Sequence, residues 1–257
     1  MGLLSNKIVF ITGASSGIGK ACAFEFANEG ADLILAARRL KSLKDLEESL
    51  KQKFGIKVHC IQLDVRDKEE IKNSIISLPD EFKNIDILIN NAGLARGFDK
   101  LYEGNIEHWE EMIDTNVKGL LYVTRFILPT MVERKSGHII NIGSTAGHEV
   151  YAYGNVYCAT KFAVKALSQS IRVDVLDKSI KVSEVDPGMV KTEFSTVRFS
   201  GDEEKAEKVY EGLTPLAPED VAAAVVFCAT RPKHVNINEI ILTPTAQASS
   251  TQIYRAK

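Results

Sequence analysis

The chain has 257 residues, 45% hydrophobic and 26% charged, with a formal charge of −2. That length holds one large α/β domain or two small ones with a full core, and dispersed basic residues at near-neutral charge give no electrostatic case for nucleic acid or an anionic membrane as partner. Cys22, Cys60, Cys158 and Cys228 stand far apart without a CxxC pair, and no HExxH occurs among the five histidines. A disulfide scaffold, a zinc ribbon and a metal site are therefore without support, and buried free thiols in a reducing compartment are the plain expectation.

In chain order, "MGLLSNK" leads into an apolar run too short for a secretory or membrane-spanning segment, so a cytosolic protein is expected. "KIVFIT" (7–12) predicts a strand and "GIGKACAFEFANEG" the helix after it. "ADLILAA" (31–37) is a second strand, followed by the charged helix "LKSLKDLEESLKQKF". "KVHCIQLDV" (57–65) and "IDILINN" (85–91) are a third and fourth strand separated by another helix. A helical stretch runs from about 106 to 133, then a strand at 138–144, a helix over about 155–177, and strands at 180–187 and 236–244. The apolar runs are near-continuous, as in strands covered on both faces. Strand–helix alternation predicts a doubly wound parallel sheet of about seven strands. No linker, composition shift or repeat divides the chain, so residues 1–257 are expected to form a single domain.

"TGASSGIG" (12–19) falls where the first strand meets the first helix. Gly13 can take a backbone conformation closed to side chains, Gly17 lets main chain approach a pyrophosphate, and Gly19 lets helix and strand pack closely. With the free N–H groups of the helix start, the turn formed by Gly13, Ser15, Ser16, Gly17, Ile18 and Gly19 is a candidate dinucleotide cradle in a Rossmann-type fold. The second strand ends "AARR" instead of in the acidic residue that holds a free ribose 2′-hydroxyl; Asp32 is at the wrong end of the strand. Arg38 and Arg39 suit a 2′-phosphate, and so NADP, although the same pair could open a solvated loop.

Further signatures follow in order: "LDV" (63–65), "NNAG" (90–93), "DTNVKG" (114–119), "NIGSTAG" (141–147), "YCATK" (157–161) and "DPGMVKT" (186–192). Together with the glycine turn they resemble the short-chain dehydrogenase/reductase family over essentially the whole chain. The resemblance implies that Asp64 and Val65 border the adenine, that Asn91, Ala92 and Gly93 of the central-strand motif bind the cofactor, and that Pro187, Gly188, Val190 and Thr192 fold over the nicotinamide. It implies a catalytic set of Asn116, Ser144, Tyr157 and Lys161. On a helix Tyr157 and Lys161 share a face; the ammonium and a positive nicotinamide favour phenolate, so Tyr157 can take an alcohol proton as hydride leaves carbon. Ser144 would bond the substrate oxygen. Lys161 gripping the ribose, and Asn116 holding a water that links Lys161 to solvent, are implied by the family alone.

The segment "GMVKTEFSTVRFSGDEEKAEKVY" (188–210), with "NIGSTAGHEVYAYGNVYCATK" and "HVNIN" (234–238), is similar to NADP-dependent serine/3-hydroxy acid dehydrogenases within that family. Such a substrate needs a carboxylate partner: Arg198, in an expected lid over about 190–215, or Arg96, each with a solvated-loop alternative. Gly188, Gly201 and Gly212 are the expected lid hinges. Competing readings are a broad carbonyl reductase for apolar ketones and a non-catalytic NADP(H)-binding sensor. The family further implies a homo-oligomer, dimer or tetramer, packed through the two long helices; Val156, Ala163, Leu167 and Ile171 could serve that contact or face the chain's own sheet.

Overall fold

The computed structural model describes residues 2–256. Seven strands, β1 (Ile8–Thr12), β2 (Asp32–Ala37), β3 (Val58–Gln62), β4 (Ile87–Asn90), β5 (Gly137–Ile142), β6 (Ile180–Pro187) and β7 (Glu239–Leu242), form one sheet in the order β3-β2-β1-β4-β5-β6-β7. Every pairing is parallel. The connecting helices are α1 (Gly17–Asn28), α2 (Leu40–Phe54), α3 (Lys68–Ile76), α4 (Ile106–Ile113), α5 (Leu120–Arg134), α6 (Asn155–Asp174), α7 (Phe194–Arg198), α8 (Glu203–Lys208) and α9 (Pro218–Ala229).

Alternate strand residues feed two cores. Val9, Ile11, Leu33, Leu35 and Ile89 pack with α1, α2 and α9 on one face. Phe10, Ile34, Leu88, Ile139 and Val182 pack with α3, α5 and α6 on the other. Both faces of the central strands β1, β2 and β4 are thus apolar, which is why those segments lack polar alternation. Ile171 lies in the second core, so it faces the chain's own sheet, while Val156, Ala163 and Leu167 are half-buried.

The strand order reverses between β1 and β4, and at that switch point the loops after the strands part and leave a crevice. Two features shape it beyond the expected elements. The helix expected over 106–133 is broken by a π-helical turn, Asp114–Gly119. There the buried Asn116 amide donates to Leu94 O (2.8 Å) and Thr160 Oγ1 (3.0 Å) and accepts from Leu94 N (2.8 Å), which ties the widened turn to the loop after β4. The last residues fold back as a small bridge between Gln247 and Ile253. Gln247 Oε1 accepts from Met189 N (2.9 Å), so the tail supports the segment after β6. No helix among the described residues is long and apolar enough to cross a membrane.

Candidate active site

A cavity of about 900 Å³ opens at the carboxyl ends of the strands, reaching from Gly13 and Arg38 past Tyr157 to Arg198. Of the sequence-derived candidates, Gly19, Asn116 and Arg96 do not line it; the others do.

The coenzyme side is main chain held taut. Gly13 (φ 65°) and Gly17 (φ 52°) occupy the left-handed region that side chains resist. A Cβ on Gly19 would stand 2.5 Å from Gly13 O and from Asn91 Nδ2, so this glycine seats α1 against the turn. Thr12 Oγ1 accepts from Asn91 N and Ala92 N, both at 3.0 Å, and Asn91 Nδ2 donates to Thr12 O (2.9 Å). The turn after β1 and the turn after β4 are thereby locked to one another. Ser16, at the start of α1, makes no side-chain cap, which leaves the first N–H groups of the helix to whatever fills the cleft.

Arg39 Nη2 donates to Ser16 Oγ (2.7 Å) and pairs with Glu193 Oε2 (2.9 Å), and its Nε donates to Ser15 Oγ (3.3 Å). Arg38 beside it is exposed at the cavity rim. Uncapped helix N–H groups, positive-φ glycines and two guanidinium groups fit the polyanion of a dinucleotide that carries an additional ribose phosphate. Asp64 lines the far end, held below the usual carboxylate range chiefly by its hydrogen bonds from Arg66.

The reacting groups meet at the centre. Tyr157 and Lys161 lie on the buried face of α6, with Lys161 Nζ 5.9 Å from the Tyr157 ring centroid and donating to Ile142 O (2.9 Å). The Ser144 hydroxyl accepts from Ala146 N (3.1 Å) and lines the cavity with the Tyr157 phenol. Burial pushes the Tyr157 phenol well above its usual range, with Tyr151 adding to the rise; the polar Ser144 hydroxyl and the Arg198 charge oppose it. Burial brings Lys161 down to about 8, against the attraction of Asp186 and Glu184. Asn116 lies behind this group; its amide donates to Leu94 O and Thr160 Oγ1, and its Oδ1 accepts from Leu94 N with one lone pair left over. These bonds fix the loop that carries Gly93 and Leu94.

The lid side is assembled from side chains. The segment after β6 forms α7 and α8, and Ser195 Oγ of α7 meets Tyr210 OH, in the turn after α8, at 2.7 Å. Arg198 does not extend into solvent. Its guanidinium carbon sits 5.1, 5.5 and 5.6 Å from the ring centroids of Phe98, Tyr151 and Tyr157, and its Nη2 donates to Tyr151 OH (2.8 Å). Aromatic faces attract the cation and dehydrate it, directly above the phenol that would handle the proton.

Arg96 is a different case. Its Nε donates to Glu111 Oε2 (2.7 Å) and its Nη1 to Val197 O (2.9 Å), so it fastens the lid to α4 and has no part in the cavity wall. Gly201 (φ 96°) and Gly212 (φ 75°) have the backbone freedom expected of hinges. Gly188 is instead a close-approach position, since a Cβ there would strike Gln247 Oε1. Sequence reasoning missed Tyr151, Phe98 and Gln247 as wall residues. The only signal for Tyr151 was its place in "GHEVYAYGN"; for the other two no local pattern exists.

The geometry can be set beside known proteins. A family profile described as short chain dehydrogenase matches residues 7–203, and the chain belongs to that family. The NADP-dependent 3-hydroxy acid dehydrogenase of Schizosaccharomyces pombe is 45% identical over 256 residues, covering 99% of each chain. The Salmonella typhi enzyme of the same name is 48% identical over 242 residues, 94% of this chain and 96% of that one. The closed form of a serine dehydrogenase complexed with NADP+ superposes with a TM-score of 0.91 at 46% identity, covering 97% of this chain and 100% of the other.

Proposed function

We propose that the protein is an NADP-dependent oxidoreductase that transfers hydride between NADP(H) and short-chain 3-hydroxy acids of the serine, allo-threonine and 3-hydroxypropionate type. The observation that carries the substrate class is Arg198, a half-buried guanidinium stacked over the Tyr157 ring. A carboxylate on Arg198 and Tyr151 leaves the 3-hydroxyl of a short acid within reach of Tyr157 and Ser144. The names of the relatives, 3-hydroxy acid dehydrogenase and serine dehydrogenase, support the same class.

NADP, when bound, takes up or gives back the hydride. The protein does the rest. Gly13, Gly17 and the α1 N-terminus would hold the pyrophosphate, Arg38 and Arg39 the 2′-phosphate, and Asp64 and Val65 the adenine end. Pro187, Val190 and Thr192 would hold the nicotinamide end, and Lys161 its ribose. In oxidation Tyr157 as phenolate removes the hydroxyl proton while hydride leaves the same carbon, and Ser144 donates to the oxygen throughout. In reduction the phenol returns that proton to the oxygen. Lys161, as ammonium, lowers the cost of the phenolate that burial raises.

The whole chain works as one domain, with 190–215 as a lid that excludes water during transfer. It acts in the cytoplasm as a homo-oligomer, dimer or tetramer; exposed Ile113, Leu121 and Phe162 on the α4–α5 and α6 surfaces support that packing.

The test is initial-rate reduction of NADP⁺ and NAD⁺ with L-serine, L-allo-threonine, 3-hydroxypropionate and uncharged alcohols of matched size. NADP⁺-linked turnover confined to the acids is expected. Faster turnover of the uncharged alcohols would make the protein a general carbonyl reductase, a reading that the aromatic wall of Phe98, Phe194 and Phe199 favours. Tight NADPH binding with no turnover of any alcohol would make it a sensor.

A further inference from the structure

Beneath the Ser144 loop, β6 places two carboxylic acids, Glu184 and Asp186, in the interior, where their exposures are 2% and 0%. Asp186 Oδ1 and Glu184 Oε1 both crowd the Cβ position of Gly143, so the two carboxyl groups are neighbours, and two buried acids this close favour sharing one proton over carrying two charges. Asp186 Oδ1 accepts from Ser144 N (3.0 Å). A Cβ on Gly143 would run into both Asp186 Oδ1 and Glu184 Oε1, so this position is glycine because the acids occupy its side-chain space.

Asp186 is held from behind by His148 Nε2 at 3.0 Å. The His148 Nδ1 meets Lys165 Nζ at 2.8 Å. An ammonium offers only protons, so Nδ1 accepts and Nε2 carries the hydrogen that points at Asp186. Lys165 also lies 3.3 Å from Glu239 Oε1 on β7. The charged and titratable groups facing the acids are therefore Lys161, Lys165 and Arg172 on α6, His148 after β5, and Glu239 on β7. Lys165 is matched by Glu239, and Arg172 donates to the carbonyls of Val182 and Asn238. Among the described residues Lys161 has no carboxylate in direct contact; its ammonium donates to Ile142 O.

We propose that Glu184 and Asp186 form a one-charge carboxylate pair that serves as the counter-ion of Lys161 and seats the Ser144 loop, making both acids positioning residues for the reaction. Lys161 lines the cavity and neither acid does, so the pair steadies the ammonium without competing for the ribose or the phenol. Burial first, then repulsion from Asp186 for Glu184 and from Glu239 for Asp186, pushes both groups above the usual carboxylate range, which keeps the shared proton in place at neutral pH.

The inference rests on the assignment of Lys161 as the ammonium that supports Tyr157, and two experiments separate the two claims. In the first, kcat for alcohol oxidation is followed against pH in Glu184→Gln, in Asp186→Asn and in the double variant, with melting temperature as the folding control. Each single variant keeps one carboxylate and hence the charge, so the alkaline limb, where Lys161 loses its proton, stays in place. The double variant removes the charge and moves that limb about one unit to lower pH, a tenfold loss of proton affinity at Lys161. A limb unmoved in the double variant, or moved equally in either single one, overturns the proposal. In the second, carboxyl-¹³C aspartate is titrated by NMR in Glu184→Gln, where Asp186 titrates alone. Adding Lys161→Met raises its midpoint if the two groups are paired; an unchanged midpoint overturns the pairing even if activity never depended on Lys161.

Discussion

On the coenzyme side of the cleft the walls are main chain: Gly13 and Gly17 in left-handed conformations, uncapped N–H groups of α1, and turns tied together by Thr12 and Asn91. On the lid side they are side chains that meet from far apart in sequence, as where Arg96 and Arg198 each hydrogen-bond a carbonyl 101 positions away. The first region is pre-formed by backbone geometry and presents the same cradle whatever the substrate. The second exists only when α7, the loop after β4 and the tail are all in place, so that is where specificity can change without loss of the fold.

The largest effect is expected where the two regions join. Tyr157→Phe removes the proposed proton-transfer group; kcat should fall by at least ~10³-fold, as for loss of a general acid–base, while NADPH fluorescence titration shows binding nearly unchanged. Equal loss of binding would mean that the residue holds the cleft together instead. On the coenzyme side, Arg38→Ala with Arg39→Ala removes charge but leaves the backbone cradle. KM for NADP⁺ should rise roughly 10–100-fold, the scale of lost charge-assisted hydrogen bonds, with little change for NAD⁺. A parallel rise for both cofactors would assign the arginines to the cradle's shape.

On the lid side, Arg96→Met keeps the apolar stem but releases the Glu111 and Val197 contacts. A several-fold rise in hydroxy-acid KM is expected, of the order of one hydrogen bond, with NADP⁺ KM unaffected. A change in the NADP⁺ value would couple the two regions more tightly than their separate construction implies. The smallest effect is on stability. Glu184 has a folded pKa raised by burial, so the neutral form is the one the fold prefers. Any stabilisation from it is full below the unfolded carboxylate range and is lost as pH rises through the raised value. Glu184→Gln should therefore gain little at pH 5 and more at pH 8, where ~1 kcal/mol is worth about 2–4 °C in Tm for a chain of this size. Thermal melts at the two pH values check the sign.

The difference between the regions also explains what could be read in advance. The glycine turn was legible because φ above zero demands a particular residue type at a particular place. The strands were legible because two-sided burial leaves an uninterrupted apolar run. Helix α2 was foreseen at its true ends because Gly55 (φ 68°) stops it. The π-helical turn at Asp114–Gly119 left no trace in periodicity, since it is set by the bonds of Asn116 to Leu94 and Thr160 across the fold. Arg96 and Arg198 read alike as loop arginines, and only tertiary partners, an acid for one and three aromatic rings for the other, set them apart. Gln247 and the buried Glu184–Asp186 pair were missed for the same reason.

The central claim is that Arg198 turns a general alcohol-oxidising centre into one for hydroxy acids. It is tested most directly by comparing kcat/KM for 3-hydroxypropionate with that for an uncharged alcohol of equal size, in the native protein and in Arg198→Met. The account predicts that the preference for the acid collapses by roughly 10–100-fold, the loss of a charged hydrogen-bond partner, while turnover of the uncharged alcohol persists. An acid preference that survives Arg198→Met unchanged would contradict it.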